Sequence, residues 1–238
     1  MAGIRLCVDL PRGCRDAIIQ DRDQVANVIV AALARRGYHY DSRLPARWGF
    51  GVIAHRVHPR QKLWKVERVI VGSSDADLVP VLATLTPADL VEPNAVPGSG
   101  IRLDRANLYR QDTWVDCESV SLYAVSPIRV CDRTAKRPAD AYLDTGPRLD
   151  ELLNHAMARR FGRPFQLRLM PDSLYVRSRH GDISAGMGVK TVNGRTIVKK
   201  GLVLPFTLVG SPEDLRDAWY GGLGSGTTRG FGCVEMAR

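Results

Sequence analysis

At 238 residues, 45% hydrophobic and 25% charged, the chain has material for one large domain or two of roughly 120 residues each, and its composition gives no case for disorder. Its 34 Lys and Arg, mostly arginine, outweigh 25 Asp and Glu, and the resulting charge of +9 suits a phosphate-bearing partner without proving one. Cys7, Cys14, Cys117, Cys131 and Cys233 form no C-x-x-C pair and have no histidine at zinc-ligand spacing, so neither a metal site nor a disulfide framework is expected. The amino terminus lacks the apolar core of a signal peptide, and no run approaches the ~18 apolar residues of a membrane span. Those features predict a cytoplasmic protein with no membrane partner.

Ile4, Leu6, Val8 and Leu10 alternate with Arg5, Cys7 and Asp9, which predicts a strand with one buried face. From Asp21 the period changes. Val25, Val28, Ile29, Ala32 and Leu33 mark an amphipathic helix that stops at Gly37. Strands are expected over 51–57 and 63–71, then a helix capped by Ser73, Ser74 or Asp75 and carrying Leu78, Val81, Leu82 and Leu85, then a strand within 101–114. Strand, helix, strand, strand, helix, strand is the order of a ferredoxin-like βαββαβ domain.

The order then starts again. Val120, Leu122 and Ala124 predict a strand ending in Ser126-Pro127-Ile128, and Leu149, Leu152, Leu153, Ala156 and Met157 a helix closing near Gly162. Residues 165–176 read as strands or a hairpin. Asn193-Gly194 signals a hairpin, with 202–209 as the returning strand. Ser211 as N-cap, Pro212 at N1 and acidic Glu213 and Asp214 open the last helix. The fold class is therefore α+β: two tandem ferredoxin-like, RRM-like domains over 1–116 and 117–238, joined near Thr113 to Glu118.

Residues 222–232, Gly-Leu-Gly-Ser-Gly-Thr-Thr-Arg-Gly-Phe-Gly, place five glycines in eleven positions. Such a loop can bring backbone N–H groups up to phosphates while Arg229 adds charge, although glycine-rich turns also join strands without binding anything. A dinucleotide or P-loop motif needs a strand before it and a helix after it; this segment follows a helix and lacks Gly-Lys-Ser/Thr.

The spacing Gly222-Leu223-Gly224, five residues, Gly230-Phe231-Gly232 resembles the signature loop of the repeat-associated mysterious protein (RAMP) superfamily. Within it the likeness is to the CRISPR-associated endoribonucleases that cut precursor CRISPR RNA in its repeats. The loop's place after the last helix, the tandem domains and Ser126-Pro127-Ile128 are also similar. The resemblance implies metal-independent, cofactor-free cleavage: the ribose 2′-OH attacks the adjacent phosphorus and leaves a 2′,3′-cyclic phosphate. It also implies retention of the repeat stem-loop and mature crRNA, and company with other subunits of an interference complex. Two alternatives stay open: a catalytically inactive subunit that binds the crRNA hairpin, and a backbone subunit polymerising on guide RNA, for which the short loops leave little room.

By that resemblance His39 matches the place of the usual catalytic histidine, with Arg22 and Arg36 as the second choice where arginines take over. Read from the residues alone, 35–40 joins an imidazole, a group suited to proton transfer, to two arginines and two tyrosines. The same arginines also complement a helix C-terminus. RNA contacts are expected from Arg35 and Tyr38, from Arg177, Arg179, Lys190, Arg195, Lys199 and Lys200 around the hairpin, and from Gly222, Gly224, Gly226, Thr228, Arg229, Gly230 and Gly232. His55, His58, His155 and His180 read as solvated, and Arg159 and Arg160 as complements of a helix dipole.

Overall fold

The computed structural model describes residues 3–11, 17–57, 63–91, 101–111, 114–132 and 141–237; Cys14, His58, Arg60 and Thr113 lie outside them. The first unit comprises β1 (Ile4–Asp9), β2 (Ile18–Ile19), α1 (Arg22–Arg35), β3 (Trp48–Arg56), β4 (Trp64–Ser73), α2 (Leu78–Ala83) and β5 (Asn107–Arg110). β4 and β1 are central, flanked by β3 and β5, and β2 adds a short pairing against the start of β4; all pairings are antiparallel. α1 begins where the Asp21 carboxylate accepts from the Asp23 N–H, and it buries Val25, Val28, Ile29, Ala32 and Leu33 against the sheet. The strand expected within 101–114 shrinks to β5. Before it Ile101 and Leu103 are buried in irregular chain held by Leu103 N–H to Leu90 O.

The second unit repeats the plan with β6 (Ser119–Ala124), α3 (Arg148–Phe161), β7 (Arg168–Pro171), β10 (Pro205–Val209), α5 (Pro212–Gly221) and β11 (Val234–Met236), in sheet order β11-β6-β10-β7. Between β7 and β10 it inserts α4 (Ser173–Ser178) and a hairpin of β8 (Ser184–Val192) and β9 (Arg195–Leu202). The expected strands over 165–176 are thus one strand and a helical turn, because the Asp172 carboxylate caps the N–H groups of Leu174 and Tyr175. The expected returning strand is likewise two elements: β9 closes the hairpin and β10 belongs to the main sheet.

β1 departs from its expected single buried face. Ile4, Leu6 and Val8 pack under the helices, while Arg5 and Cys7, on the other face, are covered by the second unit. Arg5 is 2% exposed; it donates to Trp219 O and Glu235 Oε1, both at 2.9 Å, and lies 3.9 Å over the Trp219 ring. β4 meets the same neighbour so closely that a Cβ at Gly72 would lie 2.3 Å from Tyr220 O. The two units therefore share a packed face, and the segment joining α5 to β11 is pressed against β3.

Candidate functional site

The glycine-rich segment is built in two layers. In the inner layer, Leu223 N–H donates to Gly232 O at 2.8 Å, Gly232 N–H to Pro127 O at 2.9 Å and Ser225 N–H to Arg129 O at 2.8 Å. Gly232 has φ +70°, and a Cβ there would stand 1.9 Å from Leu223 O, so glycine is demanded by sterics. Arg160, 7% exposed, donates to Gly222 O at 2.7 Å, Gly221 O at 2.5 Å and Gly224 O at 3.2 Å, and to Ala46 O of the first unit at 3.0 Å. Burial pushes its guanidinium down to about 9, still a cation near neutrality, and the ring of carbonyls offsets the desolvation. Arg160 is thus a strut of the loop rather than a complement of the helix dipole. The signal was present: it stands eleven residues after Leu149, on the apolar stripe of α3.

The outer layer is a single 3-10 turn, Thr227–Arg229, between left-handed Gly226 and Gly230. Thr227 Oγ1 donates to Trp48 O at 2.8 Å, fixing the turn on β3. Among the described residues no hydrogen bond occupies the N–H groups of Gly226, Thr227 and Thr228, and the exposed Arg229 side chain has no partner. The loop after α1 reaches this turn: Tyr40 Oη donates to Thr228 Oγ1 at 3.2 Å, and its ring meets Trp48 edge-on at 5.3 Å between centroids. Exposed His39 adjoins Tyr40. A groove of about 380 Å³ runs between the two segments, lined by Tyr40, Ser42, Arg43, Arg159, Ser225 and Thr228.

A second groove flanks the other end of the turn. Gly230 packs against Phe50 and the Arg22 Cβ, and a cleft of about 250 Å³ separates Asp21, Arg22 and Trp64 from Ser126 and from Gly186 and Gly188 of β8. Arg22 Nη2 donates to Val52 O at 3.3 Å, but buried Nη1 has no partner, and burial lowers the group to about 10. A desolvated guanidinium with one unpartnered nitrogen beside a cleft has the chemistry to take an anion. The hairpin forms the far wall: Met187 and Val189 pack on Phe231, leaving Lys190, Arg195 and Lys200 exposed. Lys190 lies 4.0 Å from Asp23 at the start of α1.

The expected trio of His39, Arg22 and Arg36 does not converge on one point. Arg22 and Arg36 stand at opposite ends of the fourteen-residue α1, about 20 Å apart along its axis. Arg36 is bound to Asp89 Oδ2 at 2.6 Å, and Arg35 to the carbonyls of Asp89 and Val91, so both tether the segment after α2. Tyr38 is half-buried, and burial with Asp75 and Asp77 nearby raises its phenol. His55 meets Glu67 at 2.9 Å on the exposed edge of the sheet. Arg177 and Arg179 sit on and just after α4, near the base of the hairpin, and Lys199 is half-buried opposite Met187. Among the described residues no three His, Cys, Asp or Glu side chains gather as a metal site, and no helix is long and apolar enough to cross a membrane.

Two ferredoxin-like units, a glycine-rich turn at their seam and two flanking grooves, one of them basic, define a tandem RAMP-type architecture. Three solved structures share it: a Cas6-related protein from Pyrococcus furiosus (12% identity, TM-score 0.64, 99% of each chain covered), a RAMP protein described as binding different RNA substrates (16%, 0.61, covering 99% of this chain and 100% of that one), and a CRISPR-associated protein Cas6 (13%, 0.62, 99% and 100%). At these identities the likeness is one of fold. No curated protein sequence matches the chain. The family model described as CRISPR associated protein Cas6, C-terminal, matches residues 113–236, more than half of the length. The chain belongs to the Cas6 family of CRISPR-associated proteins.

Proposed function

We propose that this protein is an endoribonuclease that cuts precursor CRISPR RNA within its repeats, without a metal, and then retains the repeat hairpin inside a larger ribonucleoprotein. The observation that carries the reading is the contact of Tyr40 with Thr228, which brings the His39 loop onto the glycine-rich turn, beside Arg229 and Arg43. A Cas6 of the same fold (13% identity, TM-score 0.56) has been solved as a product complex, and the RAMP protein of the same fold is described as binding different RNA substrates, which supports RNA as the ligand.

Cleavage needs a base for the 2′-OH, an acid for the departing 5′-oxygen and cations around the phosphorane. The 2′-oxygen attacks phosphorus, the P–O5′ bond breaks, and a 2′,3′-cyclic phosphate and a 5′-OH result. His39, exposed beside the turn, transfers a proton at one of those two oxygens. Arg229, Arg43 and the N–H groups of 226–228 receive the phosphate charge. Arg22 holds a phosphate farther along the strand, and the cations of the hairpin grip the stem.

The test is a labelled repeat RNA from the protein's own source, incubated in EDTA beside a copy with a 2′-deoxy nucleotide at the cut. One cut that persists in EDTA and vanishes with the 2′-deoxy substrate supports the reading. Tight binding with no cut in either RNA replaces it with a silent hairpin-binding subunit.

A further inference from the structure

A smaller pocket of about 170 Å³ opens on the outer face of α3, lined by Cys131, Arg148, Glu151, His155, Arg159 and Ser225. Arg148, Glu151, His155 and Arg159 follow one another at three and four residues, so the helix presents them as one stripe. The pocket adjoins the groove at the glycine-rich turn: Arg159 and Ser225 line both. Ser225 makes a rigid partition: its N–H and Oγ both donate to Arg129 O, at 2.8 and 3.0 Å. The volume is below the ~300–1,000 Å³ of ordinary small-molecule sites and suits one planar ring entering from the side.

The chemistry of the stripe differs from that of the grooves. Arg148 is neutralised by Asp132, which leaves Glu151 as a carboxylate with no ion pair among the described residues. A bare carboxylate repels phosphate, so along a basic RNA groove it belongs where a base edge, not the backbone, arrives. A carboxylate accepts two parallel hydrogen bonds from the one nucleobase edge that offers two adjacent donors, N1–H and N2–H of guanine. Exposed His155, one turn away, has no partner among the described residues and can stack on that ring, while Arg159 lies toward the groove where the strand's phosphates pass.

We infer that this pocket receives one unpaired guanine of the repeat RNA, flanking the cleavage position, with Glu151 reading its Watson–Crick edge. The inference rests on the proposed RNA cleavage and makes α3 a determinant of sequence choice, not of the chemical step.

The experiment measures kcat/KM and Kd for repeat RNAs in which each guanine near the cut is replaced in turn by inosine, which keeps N1–H and loses the N2 amino group. The panel is run with the unaltered protein, Glu151→Gln and His155→Ala. One position is expected at which inosine costs the unaltered protein about tenfold and Glu151→Gln less than twofold, with Tm unchanged. His155→Ala should weaken Kd for every RNA that keeps a purine there. Equal discrimination at every guanine by the unaltered protein and Glu151→Gln overturns the pocket while leaving cleavage standing. Failure of the unaltered protein to bind or cut any repeat RNA overturns both.

Discussion

The inner and outer layers of the glycine-rich segment use the same residue type for opposite ends. In the inner layer glycine permits close approach: the N–H groups of Leu223, Ser225 and Gly232 are spent on backbone carbonyls, and Arg160 collects the carbonyls of Gly221, Gly222 and Gly224. In the outer layer Gly226 and Gly230 take left-handed conformations that turn the chain, and among the described residues the turn leaves the N–H groups of 226–228 unbonded and Arg229 exposed. The lesson is that a glycine-rich motif is not uniformly a cradle. Most of it is scaffold, and the stretch proposed to meet RNA is the short turn the scaffold holds out.

The comparison is broken most severely by Gly232→Ala. Its Cβ would stand 1.9 Å from Leu223 O at φ +70°, so a loss of about 3–5 kcal/mol is expected in urea unfolding, with RNA binding lost as the segment rearranges. His39→Ala attacks the outer side instead. Cleavage should fall about 10²–10⁴-fold while Kd for uncleavable RNA and Tm stay put; equal loss of binding would make His39 a contact and not a proton-transfer group.

Arg22→Met has the smallest expected functional effect of the three and is the most discriminating. The folded chain holds this buried guanidinium less readily as a cation than the unfolded chain does, down to about 10, so its charge opposes folding in full below that pH, and the penalty fades only as pH rises from there to the ordinary arginine range of the unfolded chain. Replacement should leave urea stability at pH 7 unchanged or raised, yet weaken RNA binding and flatten its dependence on salt by about 0.7 in logarithmic slope, the share of one phosphate contact on a single strand. A stability loss instead would make Arg22 a packing residue.

Much of the architecture was legible along the chain because it rests on local periodicity. The stripe of α1, the Ser211-Pro212 start of α5 and the Asn193-Gly194 turn are all where the pattern placed them. Departures occurred where a side chain answers to a distant partner. Arg5 reads as the open side of a strand with one buried face and is buried; Arg160 reads as a dipole complement and holds a loop more than sixty residues on.

The candidate site divides the same way. Sequence alone determined the two βαββαβ units, the surplus of cations and the glycine-rich segment, because secondary-structure period, charge and glycine spacing are properties of neighbours. Tertiary structure alone decided that Arg36 is tied to Asp89, that Tyr40 touches the turn, and that Glu151 and His155 share a pocket with Ser225. Those facts depend on which carbonyls and rings are brought near by packing of one unit against the other, and no periodicity within either unit encodes that juxtaposition.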